Sequence, residues 1–166
     1  MRPRSQPRLN ILAVGHRMPA WVQAGFEEYA RRMPREMRLS LKEVRPEPRG
    51  SGAPPAAQIE RILKAEGERL RGALPEGCLL VALDERGRSL TTERFARHLA
   101  EWLRQGRDVC FAIGGADGLD AGLKRSAHLM LSVSAMTLPH QLVRVILAEQ
   151  LYRAACLLQH HPYHRG

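Results

Sequence analysis

Apolar residues recur along this chain with two different periods, and the switching between them predicts the order of its elements. "LNILAVG" (9–15) is a short apolar run closed by glycine, the signal of a buried strand. In "MPAWVQAGFEEYARRM" (18–33), Trp21, Val22, Phe26, Tyr29, Ala30 and Met33 return at helical spacing, and Pro19 sits where a first turn tolerates it. Trp21 is therefore assigned to the core, as is Trp102 further on. "MRLSLKEVRP" (37–46) alternates imperfectly and predicts a second strand, and "EPRGSGAPPAA" (47–57) is a flexible basic loop that could touch RNA but reads first as plainly solvated. "AAQIERILKAEGERLRGAL" (56–74) is an amphipathic helix carrying Ile59, Ile62, Leu63 and Leu70.

The second half repeats the alternation. "GCLLVALDERG" (77–87) predicts a buried strand with Asp84 at its C-terminal end. Thr91 and Thr92 can cap the helix of "TERFARHLAEWLRQG" (92–106), which Gly106 ends. "RDVCFAIGGADGL" (107–119) is a strand entering a glycine-rich turn, "DAGLKRSA" (120–127) a short helix, and "HLMLSVSAMTLP" (128–139) a strand entering a loop. A last helix runs from near Pro139 to near Gln159. The order βαβαβαβαβα calls for an α/β fold, a mainly parallel sheet with helices on both faces. Ligands of such sheets sit beyond the C-terminal strand ends, which points to "ALDERG", "AIGGADG" and "VSAMTLPH".

Composition narrows this picture. A chain of 166 residues, 44% apolar, fits one domain, read as 9–166 behind a loose basic arm at 1–8. No run approaches the roughly 20 apolar residues that span a bilayer. No signal peptide is read at the N-terminus, so no membrane partner is expected and the protein is read as cytoplasmic. Cys78, Cys110 and Cys156 are widely spaced in apolar surroundings, as reduced buried thiols are. Lys and Arg number 26 against 17 Asp and Glu, a net +9, and Lys42, Lys64 and Lys124 are the only lysines. An excess this rich in arginine suits forked contacts to phosphate and makes a polyanionic partner the expectation.

Several chemistries are excluded. "GGADG" is not GxGxxG and follows a late strand, so a nicotinamide site is not expected; GxxxxGK[ST] and GxSxG are both missing. His160, His161 and His164 form HHxxH, but Pro162 breaks the helical spacing and no acidic partner is near, so no metal is expected. What remains are two loops rich in small residues, "IGGADG" and "SAMTLP". Their main-chain groups can approach an adenine and ribose closely, although the glycines alone fit a tight turn equally well.

"LVALDERG", "IGGADGL", "LSVSAMTLPHQLVRVILAEQLYRA" and "HHPYHR", in this order and spacing, resemble the bacterial family of ribosomal RNA large subunit methyltransferase H, the SPOUT-class pseudouridine-N3 methyltransferases of 23S rRNA. "AVGHRMPAWVQAGFEEYARRMP" resembles the N-terminus of that family. The resemblance implies a SPOUT-type fold with a C-terminal trefoil knot, a homodimer, and S-adenosyl-L-methionine as methyl donor. It implies a pseudouridine of 23S rRNA as substrate, methylated at N3 on the assembled 70S ribosome. By position in the family's motifs, Leu83, Gly115, Ser134, Ala135, Met136, Thr137, Leu138 and Pro139 bind the cofactor. The N3 proton has to leave, and a histidine, a carboxylate or water could take it. His140, Arg153, Tyr163, His164 and Arg165 are the candidates for proton uptake or for holding phosphate and the ionised base. His140 could equally be a helix-start residue, and Tyr163 could merely pack the tail.

On the last helix, Val143, Ile146, Leu147, Leu151, Ala154 and Leu158 suit a core or dimer seam, with Arg144, Tyr152 and Arg153 turned toward RNA. Glu149 is expected to pair with a neighbouring arginine. The chain departs from the family in its extra arm, in a longer Pro-rich central loop, and in His160, where Asn is expected. A non-catalytic ribosome-binding protein is the competing reading, and the charge alone permits it.

Overall fold

The computed structural model describes residues 6–160. Met1 to Ser5 of the basic arm, and Tyr163, His164 and Arg165, lie outside the described residues. The observed order is β1 (Leu9–Val14), α1 (Ala20–Arg32), β2 (Leu39–Val44), α2 (Ala56–Ala73), β3 (Leu79–Ser89), α3 (Thr92–Arg104), β4 (Val109–Ile113), α4 (Ala121–Ser126), β5 (Leu129–Ser132) and α5 (His140–Leu158). A short 3-10 turn, Arg35–Met37, precedes β2. This is the predicted alternation. All strand pairs are parallel, in the order β2-β1-β4-β3-β5.

Alternate residues of the central strands feed two cores, because successive side chains of a strand point to opposite faces. Leu9, Ile11 and Ala13 of β1 pack with Phe26, Leu99, Leu147 and Leu151 under α1, α3 and α5. Leu12 and Val14 pack with Leu70, Leu119 and Leu123 under α2 and α4. Strands buried on both faces need continuous apolar sequence, which is why β1, β3 and β4 were legible as unbroken runs. Edge strand β2 has one fully buried residue, Leu39, and its imperfect alternation follows from that position.

Two local expectations meet the structure at named atoms. The Thr91 side chain accepts from the Arg94 amide and caps α3, and Gly106 closes that helix at φ +69°. Trp21 is a correction. It is 57% exposed, because Val22 and Phe26 carry the buried face of α1 and Trp21 lies one position off it. Trp102 is buried, edge-on to Phe111.

Strand β3 also departs from a simple strand. It pairs with β5 up to Leu83↔Leu131, and pairing resumes at Arg88↔Leu131, so Asp84 to Gly87 bulge out of the ladder. Gly87 closes the bulge against β5, where a Cβ would stand 2.7 Å from the Met130 carbonyl carbon. Only glycine allows this approach, and the bulge carries three polar side chains to the strand-end rim.

Candidate active site

The C-terminal ends of β3, β4 and β5 and the start of α5 enclose a pocket of about 450 Å³, within the range of small-molecule sites. Leu83, Asp84, Glu85 and Arg86 come from β3 and its bulge. Ile113 ends β4 and the turn Gly114–Gly118 follows it, with Lys124 from α4. Leu131 belongs to β5, Val133, Ser134, Met136, Thr137 and Leu138 follow it, and His140 and Val143 open α5. Three predicted strand ends thus meet at one cavity. Of the residues assigned to the cofactor, Leu83, Gly115, Ser134, Met136, Thr137 and Leu138 line it together with His140. Ala135 and Pro139 are exposed neighbours in the same loop. The Pro139 carbonyl accepts from the Leu142 and Val143 amides and starts α5.

Each wall has a local reason. The glycine turn closes through Gly118 N–H donating to Gly115 O at 3.1 Å, with Gly118 at φ +85°. A Cβ on Gly114 would stand 2.2 Å from the Gly118 carbonyl oxygen, so this position admits no side chain. In the loop after β5, Ser132 Oγ donates to the Ser134 carbonyl at 2.7 Å, and Ser134 Oγ accepts from the Met136 amide at 3.0 Å. Thr137 Oγ1 donates to Glu85 at 2.8 Å and pins this loop to the β3 bulge. Met136 is left 75% exposed at the mouth.

The floor is apolar and the rim is charged. Asp84 pairs with Lys124 at 3.1 Å. Burial pushes the Asp84 carboxyl up, but the Arg86 amide and the Lys124 ammonium outweigh it and hold the group below its usual value. His140 is held below the ordinary histidine value by burial first, then by the charges of Arg144 and Arg49. A neutral imidazole at the pocket wall is a competent proton acceptor near neutral pH.

Two buried ions stand behind the pocket, and sequence reasoning missed the role of both. Glu66 of α2 is 2% exposed. Its Oε1 accepts from the Glu47 amide at 3.1 Å and faces Arg49 at 3.5 Å, and its Oε2 has no hydrogen-bond partner. A Cβ on Gly115 would lie 3.5 Å from that free oxygen. Arg49 also pairs with Asp117 of the glycine turn, so the Pro-rich segment read as a plain solvated loop is tied to the pocket.

Arg144 is the second ion and a correction. It does not face RNA. It is fully buried, donating to Glu43 at 2.7 Å and to the Gly15 carbonyl at 3.1 Å. One turn after His140, it fastens α5 to β1 and β2. Tyr152 is half-buried beside Tyr29, with the Arg32 guanidinium 5.9 Å from its ring centre. Arg153 lies farther along α5 and pairs with Glu149 at 2.8 Å, the pairing expected for that glutamate. Cys110 and Cys156 are buried, whereas Cys78 is partly exposed. Of the apolar residues assigned to a seam, Leu147, Leu151 and Ala154 are fully buried, while Val143, Ile146 and Leu158 are partly so.

Comparison with known proteins agrees with this architecture. The family model described as predicted SPOUT methyltransferase matches residues 8–164. The chain is 55% identical over 159 residues to the ribosomal RNA large subunit methyltransferase H of Burkholderia multivorans, covering 96% of this chain and 99% of that protein. The protein of the same name from Paraburkholderia xenovorans is 55% identical over 158 residues, covering 95% and 99%. A solved probable methyltransferase from Bordetella pertussis shares the fold at TM-score 0.57 and 19% identity, covering 90% of this chain and 95% of that one. Family model, full-length relatives and a parallel sheet with its pocket at the strand ends lead to one assignment: the chain belongs to the SPOUT methyltransferase family.

Proposed function

We propose that this chain transfers a methyl group from S-adenosyl-L-methionine to N3 of a pseudouridine in 23S ribosomal RNA, on the assembled 70S ribosome. The observation that carries the reading is the pocket itself. Two small-residue loops present main chain over an apolar floor, in a chain with net charge +9. The names of its full-length relatives support ribosomal RNA of the large subunit as the acceptor.

Leu83, Gly115 and the loop Ser134, Ala135, Met136, Thr137, Leu138 and Pro139 hold the cofactor in this reading. The residues fit such a group: the turn Gly114–Gly118 lines the pocket with three glycines, Leu83, Ile113 and Leu131 give an apolar surface that suits a purine, and Asp84 and Glu85 suit a cationic sulfonium compound. The cofactor supplies an already activated methyl group, so alignment provides most of the acceleration. His140 lines the pocket with a lowered pKa and takes the N3 proton, directly or through water. Arg153, Tyr163, His164 and Arg165 hold phosphate or the ionised base, and Arg153 is paired with Glu149 in this structure. The reading carries a trefoil knot at the C-terminal side, one domain over 9–166 behind a basic arm, a homodimer whose subunits complete each other's sites, and a cytoplasmic setting. Among the described residues no helix is long and apolar enough to cross a membrane.

The test is methyl transfer from labelled S-adenosylmethionine to unmodified 70S ribosomes, free 50S subunits and naked 23S RNA, with the product mapped by mass spectrometry. Label on a pseudouridine of 70S particles alone is the expected result. Cofactor binding without label on any of the three would move the substrate elsewhere, and no cofactor binding would favour a non-catalytic ribosome-binding protein.

A further inference from the structure

Arg88, Arg94 and Arg97 are among the arginines that no described carboxylate holds, and these three share one surface. Arg88 leaves the β3 bulge, and Arg94 and Arg97 stand three residues apart on α3, hence on one face of that helix. The opposite face of α3 is fixed in the core by Phe95, Leu99 and Trp102, so the arginine face points outward. The three side chains line a groove of about 260 Å³ with Leu90 and His98. Glu101, the one carboxylate lining it, is engaged by Arg104. Among the described residues, Arg88, Arg94 and Arg97 enter no ion pair. Three like charges left together repel one another, and a polyanion would relieve that repulsion.

The groove lies near the pocket. Arg86 lines the pocket and Arg88 lines the groove, two residues along one strand. Between them lies an apolar slot of about 130 Å³ that shares Leu131 and Val133 with the pocket and Leu90 with the groove. We propose that Arg88, Arg94 and Arg97, with His98, form a track for the RNA phosphate backbone, which binds the strand flanking a nucleotide presented to the pocket. Guanidinium forks match phosphate oxygens, and these contacts position the RNA without reading its sequence. This inference rests on the proposed RNA substrate.

The experiment compares the wild type with the triple variant Arg88→Gln, Arg94→Gln, Arg97→Gln, and with the triple lysine variant. All three positions are exposed, so neither variant disturbs the core. Cofactor affinity by calorimetry stays within twofold in every case. Methyl transfer to ribosomal RNA, followed over a range of salt, falls about tenfold or more in kcat/KM for the glutamine variant, chiefly through KM. The slope of log KM against log salt drops by roughly 2, as for the loss of about three phosphate contacts. The lysine variant keeps most of that slope. An active wild type whose glutamine variant has the same kcat/KM and salt slope overturns the proposal. If the wild type itself methylates no ribosomal RNA, the functional reading fails separately, and the track is then judged by binding to a single-stranded RNA oligonucleotide. The same loss of salt slope there supports the track. Unchanged RNA binding overturns it, as does a charge-dependent loss confined to an acidic peptide.

Discussion

Replacing Arg144 with methionine tests whether α5 is fastened to the sheet by a buried charge. The substitution keeps the apolar stem and removes the guanidinium. It leaves Glu43 without its partner at 2.7 Å, and the Gly15 and Val14 carbonyls without donors at 3.1 and 3.4 Å. Stranding one member of a fully buried pair costs about 3–5 kcal/mol. Glu43 retains 35% side-chain exposure and can rehydrate, which lowers that figure. The buried Arg144 Nε has no partner, so its desolvation cost is relieved, which lowers it again. The expected loss is about 2–3 kcal/mol. Urea denaturation at one fixed protein concentration measures it, since stability of any oligomer depends on concentration. Adding Glu43→Leu to the variant should recover part of the loss, because no charge is then stranded. A destabilisation under about 0.5 kcal/mol for Arg144→Met, well below a single charged hydrogen bond, would refute the fastening role.

Gly114→Ala should abolish cofactor binding by calorimetry, because its Cβ would stand 2.2 Å from the Gly118 carbonyl and open the turn; binding within threefold of wild type would contradict this geometry. His140, held low by burial and by Arg144 and Arg49, should be neutral at pH 7; NMR titration of its ring should place the midpoint below the free value of about 6.5. Because the folded ring binds its proton less readily than the unfolded one, its contribution to stability is full above about 6.5 and is lost as pH falls toward the lowered folded value. Arg49→Gln should raise that midpoint and move the acid limb of activity to higher pH. Burial pushes the Cys110 thiol up, first among its causes, so a thiol reagent at pH 8 should label partly exposed Cys78 well before Cys110; equal rates would count against the packed strand.

The central strands were legible because they are buried on both faces, and burial writes itself into sequence as unbroken apolar runs. The pocket loops were legible because a close main-chain approach leaves only small residues, as at Gly114 and Ser134. Side-chain partners were not legible. Arg144 sits in an apolar helix, where an arginine reads as a surface residue, and nothing local announces Glu43, 101 residues earlier. Trp21 failed for the opposite reason: helical periodicity assigned a face one residue too wide. The β3 bulge was hidden because the polar run "DERG" reads as the end of the strand at Asp84, whereas pairing with β5 resumes at Arg88 after the register shift.

The two buried ions share one logic, which explains why a pocket made of loops can keep its shape. Loops lack the ladder hydrogen bonds that hold strands, so their position must come from other contacts. Glu66 and Arg49 fix the 47–49 segment and, through Asp117, the glycine turn. Arg144 fixes the end of β1 against α5, one turn from His140. Glu85 and Thr137 join the remaining two walls. Each wall is thus tied to another element by charge-assisted or neutral hydrogen bonds that leave the pocket surface to main chain and apolar side chains. Charges behind the wall also act through it: burial lowers His140 first, and Arg144 and Arg49 depress it further, so the contacts that shape the cavity contribute to the protonation of the histidine within it. Substitutions at Arg49 should therefore change the pH dependence of catalysis together with cofactor affinity, whereas substitutions at Glu85 should change affinity alone.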